Sequence, residues 1–268
     1  MPELHWIAYY LILGLTVGYF SGLFGIGGGL IFVPLLAFMF ELQHIPAHNI
    51  LHLALGTSMA TILFTSVSSV YQHHRHKAVN WDAFFYITPG ILLGTATGAL
   101  IVGFAGTFYI TIFFILFIYI SATQMLLGLK PAATRDYPSR LEATAAGMII
   151  GTISSIVSIG GGVLSVPYLV WHKQPIRNAI ATSAAIGFPI AIGGTLGYIA
   201  TGFYRGTDLP AGSLGYVYLP VLLWLVIGTV LTAPLGAKAT HRMPIDRLRK
   251  FFALVLFALA TNMLVKLF

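Results

Sequence analysis

The chain turns on the stretch Gly22-Leu-Phe-Gly25-Ile-Gly27-Gly28-Gly29-Leu-Ile-Phe-Val-Pro34-Leu-Leu36. A second copy runs Ser155-Ile-Val-Ser158-Ile-Gly160-Gly161-Gly162-Val-Leu-Ser165-Val-Pro167-Tyr-Leu169. In both, three glycines sit inside an apolar run, and a proline follows at the same distance. Glycine is costly within a helix and takes positive φ freely, so each triplet predicts an interruption. In lipid, backbone outside a helix is tolerated only where protein buries it or where it lines a wet cavity. One break in each half of a membrane chain points to a transporter's binding site.

The surrounding composition demands a membrane. Of 268 residues, 57% are hydrophobic and only 8% charged, against about a quarter charged in ordinary soluble domains. Mean hydropathy is +0.89. Cysteine is absent, which excludes disulfides and thiolate metal sites. The net charge of +7 is no nucleic-acid signal, because the basic residues lie in short loops between apolar runs, where they set orientation. The first apolar run has no basic leader, so it reads as a mature span and not as a cleaved signal.

Ten apolar segments follow in order: 6–24, 30–40, 48–71, 82–103, 108–129, 142–157, 163–171, 179–202, 214–237 and 248–268. A span needs about 20 apolar residues. The segments after the glycine breaks are shorter, as half-helices would be. The two halves also match elsewhere. Thr57-Ser58 pairs with Thr182-Ser183, Pro89 with Pro220, Gly98-Ala99 with Gly236-Ala237, and Gln124-Met125 with Asn262-Met263. The expected architecture is an all-α polytopic membrane protein of eight to ten helical segments. It has a first repeat over 1–129, a linker over 130–141 and a second repeat over 142–268. Ser139 and Glu142 form a capping box that opens the second repeat.

Positive charge sets the relation of the repeats. The loop His73–Lys77, the linker (Lys130, Arg135, Arg140), Lys173–Arg177 and Lys238–Lys250 are basic, while 41–47 and 102–107 carry no Lys or Arg. Five crossings per half put every basic loop on one side, the cytoplasm, and both termini outside. An odd number per half means inverted repeats, with the two breaks meeting near the midplane.

The doubled Gly-Gly-Gly-x4-Pro with the later Thr-Ser pairs resembles the sulfite exporter family, TauE/SafE, over essentially the whole chain. The resemblance implies a bacterial inner-membrane carrier for sulfite or organosulfonates such as sulfoacetate. A departure is that Ser155 and Ser158 stand where the first copy has Gly22 and Gly25.

Candidate site residues follow from the breaks. Helices that restart after Gly27, Gly28, Gly29 and after Gly160, Gly161, Gly162 present unpaired amides and the positive end of a helix dipole, an anion site without a charged side chain. Thr57, Ser58, Thr182 and Ser183 either donate hydroxyls to the anion or bond their own helices. His52, and its aligned counterpart Arg177, are candidates for proton coupling or anion entry. His48 and His52 lack a nearby carboxylate or thiol, so no metal is expected, nor any other cofactor. Carboxylates are nearly absent from the spans, with Glu41, Asp82, Glu142, Asp136, Asp208 and Asp246 at segment ends or in loops, which favours an anionic or neutral substrate. No nucleophile–base pair marks an enzyme. The expected partners are a small anion and the bilayer, with a second copy of the chain as a further expectation. A passive anion channel and a membrane assembly factor are the alternatives.

Overall fold

The computed structural model describes residues 4–25, 27–128, 133–136, 138–239 and 245–267. Lys130, Pro131 and residues 240–244 of the basic stretches lie outside these. Ten helices form among the described residues: α1 (Leu4–Phe24), α2 (Gly29–Leu42), α3 (Ala47–Arg75), α4 (Trp81–Phe104), α5 (Thr107–Leu127), α6 (Arg140–Ile156), α7 (Gly162–Trp171), α8 (Ile176–Arg205), α9 (Leu219–Ala239) and α10 (Ile245–Leu267). Seven are long and apolar enough to cross a membrane, while α2 and α7 are short apolar helices. The protein is therefore a multi-pass membrane protein.

The helices pair across the halves in a reciprocal pattern. α1 packs on α9 and α6 on α4; α3 meets α8, and α5 meets α10. Both of the first two pairs close through glycine. Gly14, Gly18 and Gly22 of α1 face Leu225, Thr229 and Ala233 of α9, and Gly236 faces Tyr19. On the other side Gly90, Gly94 and Gly98 of α4 face Thr144, Met148 and Thr152 of α6, and Gly147 and Gly151 face Ile87 and Ile91. The contacts advance in the same direction along both partners, so each pair is parallel. Small residues at every fourth position let backbones touch, which is how helices associate where lipid supplies no hydrophobic drive between them.

The equivalent central helices run oppositely. Asn49, at the start of α3, donates to the carbonyl of Thr207 beyond the end of α8 (2.6 Å). Thr107 and Thr111 at the start of α5 share a groove with Asn262 and Lys266 near the end of α10. Each break folds its two arms into a hairpin. Gln43, just past α2, bonds Tyr10 near the start of α1, and His172, just past α7, approaches Glu142 in the first turn of α6.

Three details differ from the sequence reading. The segment expected as helix from 214 begins at Leu219, because Ser213–Leu214 (β1) and Val217–Tyr218 (β2) form a hairpin. It is pinned by the Tyr216 amide on the Tyr198 carbonyl (3.2 Å). Pro89 lies in the third turn of α4 and Pro220 is the second residue of α9, so the two prolines are not equivalent. Only half of the capping box forms: Ser139 Oγ accepts from the Glu142 amide (3.2 Å), but the Glu142 carboxylate turns to Arg135 (2.7 Å).

A β-carbon on Gly94 would strike the Met148 carbonyl. Gly94→Leu is expected to cost about 1–3 kcal/mol or more by overpacking, read as a lowered melting temperature in detergent. Gly106→Ala, whose nearest neighbour would be 3.5 Å away, is expected to leave it unchanged.

Candidate functional site

Each break is built by left-handed backbone. In the first, Gly25 (φ 68), Gly27 (φ 76) and Gly28 (φ 84) take positive φ. The Gly25 amide closes α1 on the Ser21 carbonyl (2.9 Å), and the Gly28 carbonyl opens α2 by accepting from Ile31 and Phe32 (both 3.0 Å). In the second, Gly161 (φ 83) opens α7 in the same way, accepting from Leu164 and Ser165. Ser158 occupies the place of Gly25 and still adopts positive φ (52). That conformation costs an L-residue about 1–2 kcal/mol. The Ser158 hydroxyl, donating to the Leu55 carbonyl at 2.7 Å, offsets part of it.

The two breaks meet. A β-carbon on Gly27 would lie 2.8 Å from both Cα and N of Gly160, and one on Gly29 would strike the Ser158 carbonyl. Gly187 of α8 closes on the Gly160 carbonyl from a third side (2.9 Å). Among the described residues, the amides of Gly160, Gly161, Gly162 and Val163 make no backbone hydrogen bond.

Beside this contact is a cavity lined by Ser21, Gly25, Gly27, Thr65, Ser66, Ser69, Gly160, Ala184 and Gly187. Its volume, about 10 Å³, is roughly one water's share of a cavity. A three-oxygen anion needs the breaks to part. The polar lining is hydroxyl and backbone only, with no charged side chain. Thr65 and Ser66 also bond back to the carbonyls of Thr61 and Ile62.

The hydroxyls expected at the site serve elsewhere. Thr57, Ser58, Thr182 and Ser183 are all fully buried, and none lines the cavity. Thr57 Oγ1 accepts from the Tyr218 amide at the head of α9 (3.0 Å). Thr182 Oγ1 accepts from the Asn80 amide at the head of α4 (2.9 Å). The two threonines thus tie each half's long central helix to a helix head of the opposite half. Ser183 pairs with Ser165 of α7 (2.8 Å) and reaches the Gly25 carbonyl (3.4 Å), so it spans the breaks from behind. Ser58 Oγ is buried without a hydrogen bond.

Thr65, Ser66, Ser69 and Ser21 are the residues that the sequence reading passed over. Their signal was a run of hydroxyls spaced by about one turn, two turns beyond Thr57. The corresponding stretch of α8 carries Ile190, Ala191 and Gly194, so repeat matching did not select it.

His52 and Arg177 are not brought together. His52 is buried near the start of α3 with its ring 4.9 Å from Tyr216. Arg177 is exposed in the first turn of α8, the end of that helix remote from the Thr207 contact with α3. Among the described residues no cluster of His, Cys, Asp or Glu is placed to hold a metal.

Long apolar helices surround two facing breaks. The chain belongs to the sulfite exporter TauE/SafE family, whose model matches residues 10–263. It is 37% identical to a probable membrane transporter protein of Haemophilus influenzae over 96% of this chain and 97% of the relative. It is 30% identical to a probable membrane transporter protein of Methanocaldococcus jannaschii, over 95% and 94%. A Bacillus subtilis relative of the same description, YdhB, is 28% identical over 85% and 88%. No solved structure matches the chain.

Thr57→Val leaves the part-buried Tyr218 amide without its acceptor and is expected to lower stability by about 1 kcal/mol or more. Thr57→Ser restores it. Thermal melts of the three proteins in one detergent check this.

Proposed function

We propose that the protein is a secondary carrier for sulfite or a small organosulfonate, working by alternating access between two inverted halves. The observation that carries this is the meeting of the two glycine breaks beside bare amides and hydroxyls. A sulfonate or sulfite presents three acceptor oxygens and a spread negative charge. Amides at a helix start and hydroxyl donors complement such a group without a lysine or arginine. The site lies between the halves, where alternating access requires it.

The distribution of basic residues supports the orientation. The ends of α3 and α9 share a pocket of Gln72, Arg75, His76 and Lys238, and the head of α4 touches α8 near its start. The starts of α3 and α5 and the ends of α2 and α10 gather at the opposite end, where Glu41 pairs with Lys266. With the basic end cytoplasmic, both termini face outward from a bacterial inner membrane. The antiparallel course of α3 and α8 and of α5 and α10 is the arrangement inverted halves would have.

The test is sulfite flux into proteoliposomes. The protein is expected to show saturable uptake accelerated by sulfite on the far side, which a passive channel lacks. Gly28→Leu and Gly161→Leu put side chains at φ 84 and φ 83 against Phe32 and Ile190. Each is expected to abolish flux while the protein still reaches the membrane. Undiminished flux in both would remove the breaks from the site.

A further inference from the structure

We propose that His172 and Glu142 form a proton-binding site that fastens the α7 arm, making the carrier proposed above proton-linked. The inference starts from hydrogen-bond roles. His172 follows α7 directly, with its side chain only 1% exposed. Its Nδ1 lies 2.9 Å from the Tyr168 carbonyl. A carbonyl only accepts, so Nδ1 carries the hydrogen. In a neutral ring Nε2 is then a bare lone pair. Among the described residues that lone pair has no hydrogen-bond partner, and it faces Glu142 Oε1 at 3.6 Å. An ionised carboxylate is also only an acceptor. A buried lone pair and a part-exposed carboxylate oxygen confront each other with room for one proton between them.

The surroundings decide where that proton goes. From the linker, Arg135 donates to the same Glu142 oxygen at 2.7 Å and lies 4.4 Å from the ring centre of Trp171. This contact favours the carboxylate, so the proton is taken up on the ring. Lys173, the next residue along, is engaged with Asp136 at 2.6 Å and holds that carboxyl below its usual range. From α7 itself the His172 ring meets only the aromatic rings of Tyr168 and Trp171, centred 4.5 and 5.5 Å away. Protonation converts the confrontation into an imidazolium–carboxylate–guanidinium cluster that joins the end of α7 to the start of α6. Loss of the proton removes the join.

The other half shows what a permanent join looks like. Gln43 ends α2 as His172 ends α7. Each is followed by a positive-φ residue, His44 (56) and Lys173 (61). Each bonds the carbonyl four residues back, Gln43 to Met39 and His172 to Tyr168. The side chain at this place in the first half is a neutral amide on Tyr10. The first arm is therefore fixed by a neutral hydrogen bond. The end of α7, already held to the linker through the Arg135 amide on the Trp171 carbonyl (3.2 Å) and the Lys173–Asp136 pair, gains its direct join to α6 only when the ring is protonated. At its far end α7 follows directly on Gly160 and Gly161, and Gly160 meets Gly27 of the first break. By linkage, a proton that biases the α7 arm biases anion binding, and the anion biases proton uptake equally.

The test uses Trp171 as its reporter, in protein with Trp6, Trp81 and Trp224 replaced by Phe. An imidazolium quenches a neighbouring indole. Emission is expected to change as pH is lowered through the range in which imidazoles take up protons. The titration should vanish in His172→Gln and move to lower pH in Glu142→Gln. An unchanged titration in His172→Gln, or none in the parent, overturns the site. In proteoliposomes, sulfite flux is expected to lose its pH dependence over that range in His172→Gln, whose amide replicates Gln43. Persistent pH dependence in that variant overturns the linkage. Absence of sulfite flux in the parent would count against the substrate, whereas the fluorescence titration decides the proton site by itself.

Discussion

Backbone meeting backbone is the contact on which this structure depends. In lipid, apolar side chains gain nothing by leaving one hydrocarbon neighbour for another, so helices associate through close packing and polar contacts. Here the glycine rows of α1 and α9, and of α4 and α6, bring two pairs of parallel helices into main-chain contact. The same device recurs at Gly27 and Gly160, where two interrupted helices touch without a side chain between them. A rigid frame made from the first kind of contact holds the second kind in place. Between them run α3 and α8, each anchored by one threonine to a helix of the opposite half.

Much of this was legible in the sequence, for identifiable reasons. The triple glycines announced both breaks because three successive residues of poor helix propensity in an apolar run favour an interruption. The ten segments were readable because turns and charges punctuate them. The glycine rows were equally visible at Gly14, Gly18 and Gly22 and at Gly90, Gly94 and Gly98. Their partners were not, since periodicity reveals a face but not what covers it. The hairpin at 213–218 was hidden because Leu214, Val217 and Tyr218 are as apolar as the helix they precede, and strand pairing with tertiary bonds to Tyr198 and Thr57 holds them extended.

At the candidate site, sequence and structure agree on where the backbone breaks lie and differ on which hydroxyls stand beside the cavity. Matching the repeats selected Thr57, Ser58, Thr182 and Ser183 because they are duplicated. Duplication in a two-fold scaffold marks what both halves need, and both need a hydroxyl to accept the amide at a neighbouring helix head. Residues that one half alone carries escape such matching. Thr65, Ser66 and Ser69 face the breaks from α3, while α8 offers Ile190, Ala191 and Gly194 at the corresponding places. The departure at Ser158 has a parallel explanation: its hydroxyl supports a strained conformation that Gly25 adopts without support.

That one-sidedness limits how the molecule can be taken apart and rebuilt. Both breaks leave amides without a backbone partner among the described residues, but the hydroxyls beside the cavity come from α1 and α3 alone. Two copies of the second half, assembled as a dimer, would omit those hydroxyls. Chimaeras between relatives should therefore respect a junction that neither gene segment reveals alone: α3 must travel with the α7 it has come to complement.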